Sequence, residues 1–345
     1  MPLSSGTGWR RSDRPPMGAV DGPGRLPIVR NAVITLVLVL LIGAVAFGVS
    51  RQLQPTSNPS IPPSDSFVSN SIVSDSIVFV GAGDIAECPT QGDEQTAELI
   101  DDVVAEHPDA VVFTTGDNAY PGGSLEEYEA CYGPSWGRHK DRTHPAVGNH
   151  DFRQTKAGGY SEYWGDAAGT FDLYYYSYDV GDWHVVVLNS ECHRVGCEFG
   201  SEDGEQVEWL EADLEASAAR CTIAIWHHPR WSSGRYGTDE EYDTFWHVLY
   251  DHGAEIVLNG HEHLYERFAP LNPYGEVDEA RGIRQFTVGT GGANLRGFHE
   301  IERHSVARGS EHGVLQLSLE GDGYEWEFVP VEGASFEDSG SGSCH

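Results

Sequence analysis

The sequence predicts an α/β domain that follows one long apolar segment. From Ile77 onward, short apolar runs alternate with stretches of helical periodicity, which is typical of a sheet buried by helices. Several of these runs end in glycine followed by a carboxylate, amide or imidazole side chain. With 345 residues, of which 39% are hydrophobic, the chain is long enough to bury a large core.

The strands and helices follow from this periodicity. Eight apolar runs are predicted as strands, the last two forming a hairpin around Gly321-Asp322-Gly323: 77–80, 110–113, 185–188, 222–226, 255–258, 285–288, 314–319 and 324–329. Apolar residues at helical spacing predict three helices between them, marked by Ala97, Ile100, Val103 and Val104, by Val207, Leu210 and Leu214, and by Phe245, Val248 and Leu249.

Charge narrows the range of partners. The chain has 54 acidic and 21 basic residues, a formal net charge of −33. Such a surface repels the phosphate backbone of nucleic acids, so no nucleic-acid partner is expected.

The N-terminal part predicts a membrane segment. Residues 32–49 form an apolar run that approaches the length of a bilayer-spanning helix, and five arginines precede it while only Arg51 follows closely. The predicted order is a cytoplasmic basic segment at 1–31, a transmembrane anchor or signal peptide at 32–50, a Ser/Pro-rich linker at 51–76, an extracytoplasmic catalytic domain at 77–332 and a flexible tail at 333–345. Cleavage after Ala44-Val45-Ala46 would instead give a secreted protein.

The six cysteines fit an oxidising compartment, where an even number can pair. Many connectivities are open. The favoured pair is Cys192 with Cys197, and the further candidates are Cys88 with Cys131 and Cys221 with Cys344. No Cys-x-x-Cys occurs, which argues against a cysteine metal site.

Five short segments contain the polar residues that are candidates for catalysis or metal binding, and most of these segments directly follow a predicted strand. They contain seven candidate metal ligands: Asp84, Asp117, Tyr120, Asn149, His227, His261 and His263. Ligands in open α/β sheets bind beyond the carboxyl ends of the strands, where such side chains converge. Oxygen and imidazole donors without thiolate suit Fe, Mn, Zn or Co. Seven donors exceed the need of one tetrahedral ion, so the sequence predicts two ions that share Asp117.

From Ile77 to Val329, these segments resemble the calcineurin-like metallophosphoesterase superfamily, and within it the purple acid phosphatases. The acid phosphatase variant is marked by Tyr120, three residues after the second aspartate, by Ala86, and by Tyr265-Glu266-Arg267. The resemblance implies a four-layer α/β/β/α sandwich. A bacterial single-domain group is the most similar, sharing Trp136-Gly137-Arg138, His228-Pro229, Ser232-Ser233-Gly234 and Gly289-Thr290-Gly291-Gly292.

The resemblance also implies roles for these residues. Asp84, Asp117, Tyr120 and His263 would hold the first metal, where a tyrosinate favours ferric iron, and Asp117, Asn149, His227 and His261 the second, as Fe, Zn or Mn. His150 and Asp117 are the expected catalytic residues, with His150 contacting the phosphate and the leaving group. Plant and mammalian enzymes have a further substrate-facing histidine after the His-x-Pro block, and residues 230–237 contain none. Arg235 and Tyr236 are its candidate substitutes, and complete the expected substrate contacts with Asn149 and His150.

The predicted function is hydrolysis of small phosphate monoesters by a metal-activated hydroxide. Two alternatives remain open: a phosphodiesterase or nucleotide hydrolase using the same site, and a non-catalytic metal-binding protein at the cell surface. His228 and His193 are each interpreted as a surface or packed histidine and not as a metal ligand.

Overall fold

The computed structural model describes residues 76–170, 172–197 and 204–345. The strands are β1 Ile77–Ala82, β2 Ala86–Glu87, β3 Val111–Thr114, β4 Ala119–Tyr120, β5 Thr143–Pro145, β6 Tyr176–Val180, β7 Trp183–Val187, β8 Cys221–Ile225, β9 Ile256–Asn259, β10 Tyr265–Phe268, β11 Arg284–Val288, β12 Ser305–Gly309, β13 Gly313–Leu319, β14 Gly323–Pro330 and β15 Ser339–Ser343. The helices are α1 Gly92–Glu106, α2 Leu125–Glu127, α3 Gly158–Trp164, α4 Glu205–Ala216 and α5 Asp243–Asp251.

Two large sheets organise the described part of the chain. The first has the order β15-β14-β13-β1-β3-β5, in which β1, β3 and β5 run parallel. The second has the order β12-β10-β11-β9-β8-β7-β6, with a parallel centre formed by β11, β9, β8 and β7. The small sheet pairs β2 with β4. Parallel strands end at the same edge, so each large sheet presents a row of loops there.

The sheets pack against each other through aromatic side chains. Tyr265 lies on Phe328 with ring centroids 4.6 Å apart, and Phe286 lies on Trp326 at 5.7 Å. Alternate residues of β8 point to opposite faces, so Ile223 and Ile225 join this core. Other buried residues of the second sheet pack with α4 and α5 in a separate core that includes Val186, Leu188, Ala224, Trp226 and Val257.

The predicted mixed α/β architecture is confirmed. All eight predicted strands occur, with ends shifted by one or two residues, and the three predicted helices correspond to α1, α4 and α5. The region 125–168 contains helical turns that the sequence did not indicate. Its helices are too short to show a 3.6-residue apolar pattern, and many of its buried residues, among them Tyr128, Tyr132 and Tyr160, are aromatic.

The predicted flexible tail at 333–345 is wrong for Ser339–Ser343, which form β15 at the edge of the first sheet. Glycine and serine have low strand propensity, which is why composition misleads here. The rings of Trp326 and Tyr324 instead cover the backbone. A Cβ at Gly340 would lie 2.4 Å from the Trp326 ring, and one at Gly342 would lie 2.5 Å from the Tyr324 ring. The absence of side chains therefore lets the aromatic rings hold the strand in place.

Three disulfides occur in the described chain, and they match the pairings named from the sequence. Cys88 pairs with Cys131, Cys192 with Cys197 and Cys221 with Cys344, with Cα atoms 5.7, 5.5 and 5.5 Å apart. The last pair fastens the chain end to β8.

The predicted cytoplasmic segment, the membrane or signal segment at 32–50 and nearly all of the linker at 51–76 lie outside the described residues. Within the described ranges, no helix has both the length and the apolar character needed to cross a membrane.

The buried carboxyl of Glu255, next to β9, should make the free energy of unfolding depend on pH. Burial raises the pKa of its carboxyl from 4.5 to about 7, although the backbone N–H groups of Thr222 and His345 bind the ionised form. An acid whose pKa is raised on folding stabilises the protein below its unfolded pKa, and this contribution is lost as the pH rises from 4.5 to about 7. We therefore expect the free energy of unfolding to fall by up to about 3 kcal/mol over this range.

Urea unfolding of wild type and Glu255→Gln at about pH 5 and about pH 8 measures this slope. The variant should lack the decrease, whereas the exposed-carboxylate control Glu332→Gln should keep it. Parallel pH profiles for wild type and Glu255→Gln would contradict the prediction.

Candidate metal centre

The seven predicted ligands come together where the parallel strands of both large sheets end. Asp84, Asp117 and Asn149 lie in the loops after β1, β3 and β5 of the first sheet. His227 follows β8 of the second sheet, while His261 and His263 follow β9. Tyr120 belongs to the short strand β4. The site is therefore built from loops of two sheets that meet at one edge.

Tyr120 is the centre of a first group of donors. Its Oη lies 2.8 Å from Asp84 Oδ1, 3.0 Å from Asp117 Oδ2 and 3.2 Å from His263 Nε2. His263 Nε2 also lies 3.3 Å from Asp84 Oδ1. Four donor atoms from three separate parts of the sequence thus face one small volume.

Asn149 is the centre of a second group. Its Oδ1 lies 3.2 Å from His227 Nε2 and 2.9 Å from His261 Nδ1. The imidazole rings of His227 and His261 are 5.1 Å apart and nearly perpendicular. An amide oxygen and two ring nitrogens therefore converge beside the first group.

Asp117 joins the two groups. Its Oδ2 lies 3.0 Å from Tyr120 Oη and 3.3 Å from His227 Nε2. Single ligand atoms of Asp84, Asp117 and His227 all lie within 4.8 Å of one another. Asp117 Oδ2 therefore contacts donor atoms of both groups.

Hydrogen bonds from outside the two groups orient the ligands. His227 Nδ1 donates to Thr115 O and His263 Nδ1 donates to Asn294 O, each at 2.8 Å. A carbonyl oxygen only accepts, so each Nδ1 carries a proton and each Nε2 is the nitrogen that faces the other donors. The carboxylates are held similarly, with the backbone N–H of His261 donating to Asp84 Oδ2 and that of His150 donating to Asp117 Oδ1, both at 2.7 Å.

Three of the predicted ligands have the left-handed backbone conformation, which costs energy in residues other than glycine. The φ angles of Asp84, Asp117 and His261 are +56°, +51° and +67°. Such strain is concentrated at functional sites. The glycine before Asp117 is required as well: Gly116 has φ +96°, and a Cβ there would lie 2.7 Å from His227 Nδ1.

The electrostatics of the ligands favour a bound cation. Burial and the charges of Asp117 and Asp84 raise the pKa of Tyr120 well above its ordinary value. Burial alone would raise the pKa of Asp117, but the positive charge and hydrogen bond of His227 outweigh it and lower that pKa. A proton on His227 thus balances the carboxylate in the metal-free protein. Metal ions would take over that role and release protons from the site.

The residues fit a two-metal centre. They provide carboxylate, phenol, amide and imidazole donors, which suit Fe, Mn, Zn or Co, and they divide into two groups that share Asp117. The structure therefore contains a candidate metal site.

The predicted substrate contacts surround this site. His150 Nδ1 donates to Pro121 O at 2.8 Å, so its Nε2 is the accepting nitrogen, which takes a hydrogen bond from Arg153 Nη2 at 3.1 Å and lies 4.0 Å from Asp117 Oδ2. On the opposite side, the ring of Tyr236 stacks on His261 with centroids 4.6 Å apart and remains 56% exposed. Arg235 is also exposed.

Sequence reasoning missed the buried carboxylates that hold these loops. Glu262, between His261 and His263, is fully buried and accepts from the backbone N–H groups of Arg235 and Tyr236. Asp151 is fully buried and accepts from Gly148 N, Asn118 Nδ2 and Tyr128 Oη. Their signal was present, because both carboxylates directly adjoin predicted functional histidines.

His228 also lies closer to the site than the sequence indicated. Its ring is 4.2 Å from that of His261, and its Nδ1 lies 2.8 Å from Ser190 Oγ. Burial and the neighbouring histidines His261 and His227 lower its pKa well below the ordinary value. Its neutral ring therefore packs behind the second group of donors.

Comparison with known proteins agrees with the geometry. Purple acid phosphatase 15 of Arabidopsis thaliana is 33% identical over 131 residues, which cover 36% of this chain and 23% of that protein. Acid phosphatase type 7 of Danio rerio is 28% identical over 190 residues, covering 45% and 42%. The matched regions thus span less than half of these relatives.

Solved structures show the same fold. A purple acid phosphatase, PPD1, from yellow lupin (Lupinus luteus) superposes with a TM-score of 0.60 at 19% identity, covering 78% of this chain and 54% of that one. GAP50 of Plasmodium superposes with a TM-score of 0.61 at 14% identity, covering 78% and 89%. Residues 77–265, more than half of the chain, match the family model of the calcineurin-like phosphoesterases. The chain therefore belongs to the calcineurin-like phosphoesterase family, and its curated relatives include purple acid phosphatases.

Proposed function

We propose that this protein hydrolyses phosphate monoesters of small molecules at a two-metal centre of the purple acid phosphatase type. The observation that carries the proposal is the shared Asp117 oxygen, which lies between the Tyr120 group and the Asn149 group of donors. Asp84, Tyr120 and His263 would complete the first metal position, and Asn149, His227 and His261 the second. A tyrosine ligand supports ferric iron at the first position, with Fe, Zn or Mn at the second.

Two bound ions would neutralise the phosphate oxygens and lower the pKa of a coordinated water towards neutrality. The chain's own residues would do the rest. Asn149 and His150 are neighbours in the sequence and both are half-buried, and Asn149 would orient the phosphate. His150 presents Nε2, because its Nδ1–H is engaged by Pro121 O. Nε2 accepts from Arg153 Nη2, so Arg153 would first turn to the phosphate. Nε2, once protonated, would then donate to the leaving-group oxygen as general acid.

The choice between monoesters and diesters rests on the mouth of the site, because the metal pair supports both reactions. Arg153 supports monoesters, because its guanidinium lies 3.1 Å from His150 Nε2. There it could bind the third non-bridging oxygen of a monoester, which in a diester is replaced by an uncharged ester oxygen.

The test is hydrolysis of p-nitrophenyl phosphate and bis-p-nitrophenyl phosphate by the purified protein, with metal content measured on the same sample. Two metals per chain and faster monoester cleavage would support the proposal. Faster diester cleavage would move the assignment to a phosphodiesterase. Protein without metal and without turnover would overturn both.

Replacing His150 with alanine gives a sharper expectation. The backbone N–H that holds Asp117 is retained, so metal content should stay at the wild-type level while kcat for p-nitrophenyl phosphate falls by about a hundredfold or more. His247→Ala, a change on α5, is the control and should leave kcat unchanged. Loss of metal together with kcat would show that His150 acts on the metal site and not on the substrate.

A non-catalytic function is the second candidate, since the fold does not guarantee activity. GAP50, which shares this fold, is described as the anchor in the inner membrane complex of Plasmodium. A metal-loaded protein that turns over no phosphoester would favour this reading.

We also propose that the catalytic domain is extracytoplasmic and held by a membrane segment at 32–50. Three disulfides support an oxidising compartment, and the arginines before the apolar run support this orientation. Membrane fractionation of the full chain with protease protection would test this, and release into the medium would favour a cleaved signal peptide.

A further inference from the structure

Two arginines flank the exposed ring of Tyr236 beside the second group of donors. The guanidinium carbon of Arg235 lies 5.7 Å from the Tyr236 ring centroid and that of Arg296 lies 5.5 Å from it. The same ring stacks on His261. Arg235, Tyr236 and Arg296, here called the arginine rim, therefore border the metal centre directly. Arg296 was not among the residues indicated by the sequence.

The arginine rim is attached to the metal-ligand loop by its backbone. Arg235 N donates to Glu262 Oε2 at 2.9 Å, and Arg296 N donates to His263 O at 2.8 Å. Arg296 also approaches His261 O through Nη1 at 3.4 Å. Both arginines are thus fixed to the segment His261-Glu262-His263. A position fixed in this way is characteristic of a built site.

In the part of the chain that the structure describes, neither guanidinium has an acidic partner. Within the described ranges, no Asp or Glu oxygen lies within ion-pair distance of Arg235 or Arg296, although the chain has 54 acidic residues. Arg138 and Arg267, by contrast, pair with Asp101 and Asp338. Two positive charges without an acidic partner beside one ring make this part of the surface favourable for an anion.

We propose that Arg235 and Arg296 form a subsite for a second phosphate of the substrate. This inference rests on the proposed function, in which the metals hold the phosphate that is cleaved, and it names the preferred substrate class. Small phosphoesters or phosphoanhydrides with a further phosphate would bind at both places, while an ester with a neutral leaving group would use the metals alone. Guanidinium groups suit this role because they bind phosphate oxygens in a bidentate manner.

The experiment measures binding of two non-hydrolysed anions to the metal-loaded full chain by isothermal titration calorimetry. Inorganic phosphate probes the metal centre, and methylenediphosphonate probes the metal centre together with the second position. Wild type should bind the diphosphonate more tightly than phosphate. Arg296→Ala and Arg235→Ala should each lower the affinity for the diphosphonate about tenfold, as expected for one lost charge-assisted contact. Each should lower the affinity for phosphate by less than about twofold. Arg296→Lys should restore part of the loss.

Arg281→Ala is the matched control, because Arg281 also lies over a tyrosine ring, 4.9 Å from the centroid of Tyr250, and makes no contact with the metal centre. It should bind both anions as wild type does, and thermal unfolding should show that every variant is folded. The subsite would be overturned if Arg296→Ala lowered the affinity for both anions equally. It would also be overturned if Arg281→Ala lowered diphosphonate affinity as much as Arg296→Ala does. Selective loss of diphosphonate binding in a protein that hydrolyses no ester would leave the subsite standing and refute only the proposed function.

Discussion

Replacing Asp117 with asparagine is expected to abolish hydrolysis, lowering kcat/KM for p-nitrophenyl phosphate by about a thousandfold or more. The reason is its shared position, since Oδ2 contacts both Tyr120 Oη and His227 Nε2. Asparagine keeps the shape but loses the charge that would bridge two cations. We therefore also expect the bound metal, measured by mass spectrometry of the digested protein, to fall below two ions per chain.

The control for Asp117→Asn is the exposed carboxylate Asp141, where the same change should leave metal content and turnover unchanged. His263→Ala provides a graded comparison, because His263 Nε2 faces the Tyr120 group of donors and its loss should spare the second metal position. Two metals and near wild-type turnover in Asp117→Asn would show that Asp117 is not the shared ligand.

Removing the disulfide between Cys221 and Cys344 is expected to lower the free energy of unfolding by about 4 to 5 kcal/mol. The pair closes a loop with a sequence separation of 123, and constraining so long a loop removes much entropy from the unfolded chain. It also fastens the residue that follows β15 to β8, so the loss should free this end of the chain. Urea unfolding of the double variant Cys221→Ala/Cys344→Ala measures the effect.

The pair Cys192 and Cys197 is the internal comparison. It closes a loop with a separation of 5, for which the same entropy relation gives about 2 kcal/mol. The double alanine variant at these positions should therefore be clearly the more stable of the two. Equal losses would show that loop length does not govern the stabilisation here.

The clustering of the seven candidate ligands could be predicted because it depends on local pattern. Glycine before Asp84, Asp117 and His261 allows a sharp turn at a strand end, and parallel strands bring such turns together whatever their sequence separation. The structure adds what no pattern contains, namely which oxygen of Asp117 faces both groups. The role of each ligand in binding metal remains a prediction.

The surroundings of the site could not be predicted in the same way. Arg296 lies outside any strand and is brought to the site by one backbone hydrogen bond to His263. Glu262 lies between two histidines, yet its role in holding the loop depends on where the backbone N–H groups of Arg235 and Tyr236 lie. Likewise, β15 depends on aromatic rings of β14 that cover a glycine-rich backbone. These features arise from tertiary contacts, which composition and periodicity do not encode.

The origin of the ligands in two different sheets has a consequence for the lifetime of the protein. Each group combines residues from both sides, Asp84 with His263 and Asn149 with His227, so that a bound ion would join one sheet to the other. An ion that binds only the folded chain stabilises it by mass action, by about 2.7 kcal/mol when its free concentration is a hundred times the dissociation constant. Metal supply would then set the amount of intact protein as well as its activity, and scarcity would expose the chain to proteolysis.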